Sequence, residues 1–353
     1  MADPAGPEAP KRSPRLRWLD LYKGLAILLV VLGHMNIPAR ASQLIYSFHV
    51  PLFFIASGYV MALGRRLSIR SFLGRRWRTL ILPYFVFSLV GLAALLVFPQ
   101  QEVVDLRYTV TRGLLGILYG NGAASPKTVL TPLWFLTCLF STELLFLGVQ
   151  RLGRGRLGAM AILVALLLGV GLWNASVFQL PLPWGAHLAP VALFFYFVGY
   201  LCSRLGLAPA ALARRRAALG LSLSFLVWIA ASLVNARVDM NGNQYGQPLL
   251  FFGSALSGAA MVYFVVQILQ SQRGVAAVAT YLGANSLVIL AVHTLWPSVV
   301  RSLLGSLAAV APAPLVPLLT SRIDMLLSLL LVWGSIEWVN RRFPSLLGRR
   351  ATA

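Results

Sequence analysis

The sequence predicts an all-α protein, a polytopic bundle of about ten transmembrane helices with both termini on the cytoplasmic side. Three observations carry this. The chain is 58% hydrophobic and only 11% charged, against about 25% charged residues in soluble domains. Apolar runs recur along the whole length, at 20–38, 43–63, 79–98, 131–150, 157–174, 188–203, 217–236, 248–270, 276–297 and 315–339, and many approach the roughly 20 residues that cross a bilayer. The basic residues are divided unevenly between alternate loops. The tails and the segments around Arg65–Arg78, Arg151–Arg156, Arg204–Arg216 and Arg273 hold 22 Lys and Arg, and the opposite loops hold 7. That bias places the first set in the cytoplasm. It also accounts for the net charge of +21 by topology and anionic lipid, so nucleic acid is not an expected partner.

Residues 1–15 form a basic, Pro-rich tail expected to be disordered. Residues 16–342 read as one transmembrane domain, and 343–353 as a short cytoplasmic tail. The first run lacks a small-residue cleavage site and is expected to remain as a signal anchor. It opens with Asp20 and Lys23, three residues apart and able to pair on a helix. Eleven residues separate Lys23 from His34. At about 100° per residue the two return to within roughly 20° of one another, about 16 Å apart along the axis. A cation near one surface and an imidazole deeper on the same stripe mark a functional candidate, because ionisable groups are costly inside a membrane. The second run begins with His49 and contains Ser57.

The loop that follows carries six arginines within fourteen residues, suited to phosphate because guanidinium binds it bidentately. Lipid headgroups and a phosphorylated soluble ligand both fit it. In the fourth run Glu143 stands among apolar residues and is expected to face the bundle interior and bond a neighbouring helix. Asp324 and Glu337 have similar places in the last run. His187 begins the sixth run after PLPWG, and His293 lies near the outward end of the ninth. All four histidines thus fall in the outer half, without the local spacing of a zinc site and without a carboxylate beside them on that side. Cys138 and Cys202 lie inside apolar runs with neither metal nor disulfide spacing. No phosphate-binding loop or dinucleotide fingerprint occurs.

RLRWLDLYKGLAILLVVLGH, followed by YSFHVPLFFIASGY, resembles the acyltransferase-3 membrane family, especially its fucose 4-O-acetylase-like branch. The Lys-x10-His spacing matches Lys23 and His34. The FH-x-P-L-F-F-x-x-SG-Y segment matches Phe48 to Tyr59, and R-x-x-R matches Arg75 and Arg78 before Pro83-Tyr84. Weaker echoes lie in Pro132–Leu136, Phe194–Leu201 and Asn285–His293. The resemblance implies an O-acyltransferase of the cytoplasmic membrane that moves an acyl group, usually acetyl, from cytoplasmic acyl-CoA to a hydroxyl of a saccharide or glycolipid at the outer face. It implies catalysis by His34 and His49, and acyl-CoA binding by Lys23, Arg75 and Arg78. Asp20, Ser57, Glu143 and His293 are expected in support. No metal and no permanently bound cofactor are expected; acyl-CoA is a co-substrate. The rival classes are a carrier that flips a sugar-lipid or exports a small solute without chemistry, and a sensor or structural membrane subunit.

Overall fold

The computed structural model describes residues 16–64, 68–98, 105–120, 131–207, 214–310 and 323–347. Among them no strand occurs, and one isolated β-bridge joins Asp239 to Gln244. The helices are α1 (Arg17–Gly33), α2 (Ala39–Tyr46), α3 (His49–Leu63), α4 (Ile69–Arg76), α5 (Leu82–Val97), α6 (Leu106–Tyr119), α7 (Trp134–Leu152), α8 (Leu157–Trp173), α9 (Ala189–Arg204), α10 (Arg214–Val234), α11 (Pro248–Leu269), α12 (Arg273–Ala284), α13 (Ser286–Val292), α14 (Leu295–Val310) and α15 (Ile323–Arg342). Nine continuous helical stretches among the described residues are long and apolar enough to cross a membrane. At 17 residues, α1 is about 25 Å long and forms the tenth member of the expected bundle.

Two expectations of the sequence are corrected. The ninth apolar run does not form one helix over 276–297. The chain breaks at Asn285, α12 ends there, and the membrane-length stretch is Ser286–Ala309. The apolar period ran through the break because Asn285 is a single polar residue; its side chain donates back to the Tyr281 carbonyl, an alternative to continuing the helix. The segment read as a loop between the third and fourth runs contains α6, started by the Asp105 carboxylate accepting the Tyr108 N–H at 3.0 Å. The first tail, residues 1–15, and residues 348–353 of the second lie outside the described residues; the start of the second makes a 3-10 turn, Pro344–Leu347.

The centre of the bundle is α1, α3 and α9. α9 is buried over most of its length, whereas α8, α10 and α15 expose Leu166, Leu226 and Leu330 as lipid-facing surface. Close approach at the centre depends on missing side chains. A Cβ on Gly58 would collide with the Tyr196 carbonyl, and one on Gly199 with that of Ile55. Small residues of this kind let helices pack where lipid removes the hydrophobic drive between them.

Between α4 and α5 the chain makes a π-helical turn, Trp77–Ile81. Pro83 follows it directly. Proline has no N–H for the next helical bond and its ring crowds the carbonyl four residues back; the widened turn, in which the Leu82 N–H reaches the Trp77 carbonyl, accommodates it.

Candidate active site

Three helix breaks place three imidazoles. α1 ends at His34, α2 ends just before His49 opens α3, and α13 ends at His293. Each ring folds back onto a carbonyl of the last turn before it, one that also accepts a backbone N–H and has a second lone pair to offer. His34 Nδ1 lies 2.8 Å from the Val30 carbonyl, His49 Nδ1 2.8 Å from that of Ile45, and His293 Nδ1 2.9 Å from that of Ile289. A carbonyl only accepts, so Nδ1 carries the hydrogen in all three rings and Nε2 is left with its lone pair. His187 is the converse. Its Nδ1 accepts the Leu182 N–H at 3.1 Å, which fixes the loop before α9 and leaves Nε2 as the protonated nitrogen.

The rings form a chain of contacts. The His34 and His293 centroids are 4.9 Å apart, Tyr46 lies 6.5 Å from His34 and 4.7 Å from His49, and the Arg237 guanidinium sits 3.8 Å above the Tyr46 ring. His34 is exposed, His49 and His293 are buried. A buried Nε2 on His293 has no partner among the described residues.

A cavity of about 240 Å³ runs beside this chain of rings. Lys23, Ser286, His34, His49, Asp239 and Asn241 line it together with apolar side chains that include Phe53 and Leu139, and along α1 the apolar Ile27 and Val30 stand between Lys23 and His34. The predicted stripe of α1 is thus real: Lys23, Ile27, Val30 and His34 all face one space. Lys23 pairs with Asp20 at 2.8 Å, as their spacing predicts. Ser57 also lines the cavity.

Arg75 and Arg78 do not line it; both are exposed on the surface. The arginine between them turns inward. Arg76 Nε lies 2.6 Å from Glu143 Oε2, and the Tyr196 hydroxyl donates to Glu143 Oε1 at 3.4 Å. Glu143 therefore faces the interior and bonds a neighbouring segment, as expected, but stands apart from the cavity. Sequence reasoning missed Arg76 and Tyr46; it found the RVDMNGNQYGQ loop polar and suited to sugar but singled out none of Arg237, Asp239 and Asn241. The expectation that no carboxylate accompanies the histidines is corrected: the 237–246 hairpin folds Asp239 onto their cavity from nearly 200 residues away in sequence. A usable signal was present in RVDMNGNQYGQ, whose Asp and Asn-Gly mark a tight turn. Among the described residues no group of three or more His, Cys, Asp or Glu is placed to hold a metal ion.

An intramembrane bundle with a lined cavity, a cation at one part and free imidazole bases at another is the frame of a membrane-bound group-transfer enzyme. Residues 16–336 match the family model described as an acyltransferase domain, and the chain belongs to that acyltransferase family. It is a multi-pass membrane acyltransferase. Comparison with curated proteins and with solved structures gave no match.

Proposed function

We propose that the protein is an O-acetyltransferase of the cytoplasmic membrane that takes acetyl from acetyl-CoA on the cytoplasmic side and passes it to a hydroxyl of a saccharide or glycolipid at the outer face. The observation that carries this reading is that Lys23 and His34 line one cavity, with the apolar Ile27 and Val30 between them on α1. A slim pantetheine arm suits such a passage, with the phosphates of coenzyme A held by Lys23 and by the exposed Arg75 and Arg78. The thioester then comes to His34, the accessible imidazole.

His34 Nε2 takes the proton of the acceptor hydroxyl as that oxygen bonds to the thioester carbonyl carbon. The tetrahedral intermediate collapses, the C–S bond breaks, and the thiolate of coenzyme A leaves with the proton returned from His34. Fixing Nδ1–H on the Val30 carbonyl holds the ring in the tautomer this step needs. His49, in the same cavity wall, orients the acceptor or serves as a second base through Nε2.

The test is turnover of labelled acetyl-CoA by the purified protein. Release of coenzyme A that depends on His34 is the expected result. A protein that moves a sugar-lipid across vesicles but never consumes acetyl-CoA would overturn the proposal in favour of a carrier.

A further inference from the structure

The hairpin after α10 carries an unusual load of unsatisfied polar atoms. Asn241 Oδ1, Asn243 Oδ1, Asn243 Nδ2 and the Tyr245 hydroxyl are all buried, and none has a hydrogen-bond partner among the described residues. Four such atoms within five residues are far from the ordinary state of folded proteins, in which buried polar groups are paired. Burying them unpaired is costly, so a hairpin that serves only to join α10 to α11 has no reason to keep them.

The hairpin itself is firmly built, so these atoms are not the by-product of a loose loop. Asn235 holds its two ends, donating to the Tyr245 carbonyl at 3.1 Å and accepting the Gln247 N–H at 2.8 Å. Asp239 Oδ1 accepts the N–H groups of Asn241 and Gly242, both at 3.1 Å. Arg237 ties the base to the histidine cluster, donating from Nε to Ser42 at 3.0 Å and lying over Tyr46. Asp239 and Asn241 form part of the same cavity wall as His34 and His49. Of the residues with free polar atoms, Asn241 therefore stands in the wall beside the base, while Asn243 and Tyr245 belong to the same fixed platform outside the lining.

We infer that the hairpin Arg237–Gly246 is the acceptor subsite, and that the amides of Asn241 and Asn243, with the Asp239 carboxylate, bind a polyhydroxylated ligand. Amide and carboxylate groups supply both donors and acceptors, which matches adjacent hydroxyls; an aliphatic alcohol offers only one. The inference rests on the acyl-transfer reading for the identity of the ligand as acceptor, but binding at the hairpin is measurable without any transfer.

The experiment places a single cysteine at the exposed Gln244 of the full chain, with Cys138 and Cys202 replaced by alanine. The rate of maleimide labelling is followed as methyl glycosides of glucose, galactose, mannose and fucose are raised, with 1-octanol as the apolar alcohol. Protection by at least one glycoside and not by octanol is expected. Asn241→Ala and Asn243→Gly should each weaken that protection by roughly 3- to 10-fold, the worth of one hydrogen bond. Glycine is chosen at 243 because Asn243 has φ of 56°, which glycine adopts without strain. Where the protecting glycoside is also acetylated, its KM should rise in the two variants by a larger factor than the KM for acetyl-CoA. Absence of protection by every glycoside, equal protection by octanol, or protection unchanged in both variants would overturn the inference. Protection without any consumption of acetyl-CoA would instead uphold the subsite and defeat the acyl-transfer reading.

Discussion

The two polar regions of the bundle satisfy their charges in opposite ways. Around Glu143 both carboxylate oxygens face a partner: the Arg76 guanidinium in an ion pair at 2.6 Å on one and the Tyr196 hydroxyl on the other, with Arg76 also lying 5.4 Å from the Phe72 ring centre. Around His34 the polar groups are anchored at one atom and left open at the next. Each imidazole spends Nδ1 on a backbone carbonyl and keeps Nε2, and the neighbouring hairpin keeps its amides. A closed network fastens helices together; an open one is ready for a ligand. On the proposed function, the first region serves as a fastening and the second as the place for chemistry.

The largest effects should separate these roles. His34→Ala is expected to lower acyl transfer by about 10²–10⁴-fold, the usual contribution of a general base, with little change in thermal stability, since only one side-chain hydrogen bond to Val30 is lost. Glu143→Ala should do the reverse at first hand, removing about 3–5 kcal/mol of stability by leaving Arg76 uncompensated. Replacing both Arg76 and Glu143 by methionine should recover most of that loss. Thermal unfolding in detergent, measured beside acetyl-CoA turnover, reads both; a stable but inactive Glu143→Ala would break the comparison.

Next in size is His49→Ala. If His34 and His49 act as a unit, the double variant is little worse than the worse single one. Losses that multiply would assign them independent tasks.

Smaller effects are expected from the cations. Lys23→Ala, Arg75→Ala and Arg78→Ala should each raise the KM for acetyl-CoA by roughly 10- to 100-fold, the range of a charge-assisted hydrogen bond, with the acceptor KM much less affected. An unchanged acetyl-CoA dependence in the two arginine variants would reduce that segment to a topology signal.

The orientation of the two regions can be read without any change in activity. In a background free of Cys138 and Cys202, a cysteine at Ser176 should react with an impermeant thiol reagent in intact cells, and one at Ser345 only after permeabilisation. The reverse pattern would put the histidine cluster on the cytoplasmic side and make a cytoplasmic acceptor the better reading.

Much of this protein is determined by its linear sequence. Hydropathy alone specifies a helical membrane bundle, because each backbone group in lipid must be bonded within its own helix. The α1 stripe, the Asp20–Lys23 pair and the inward Glu143 follow from helical period and the cost of burying charge, all local quantities. Tertiary structure decided what those quantities cannot encode. Which of the described arginines before α5 turns inward depends on the π-helical turn before Pro83 and on Glu143 standing opposite. Which histidines join depends on three separate helix breaks meeting: His293 reaches His34, whereas the His187 ring bonds the loop before α9, a distinction that their places at the ends of apolar runs do not encode. That Asp239 and Asn241 share their cavity comes from packing α10 against α11 and α2, contacts between residues far apart in the chain, whose geometry no local period carries.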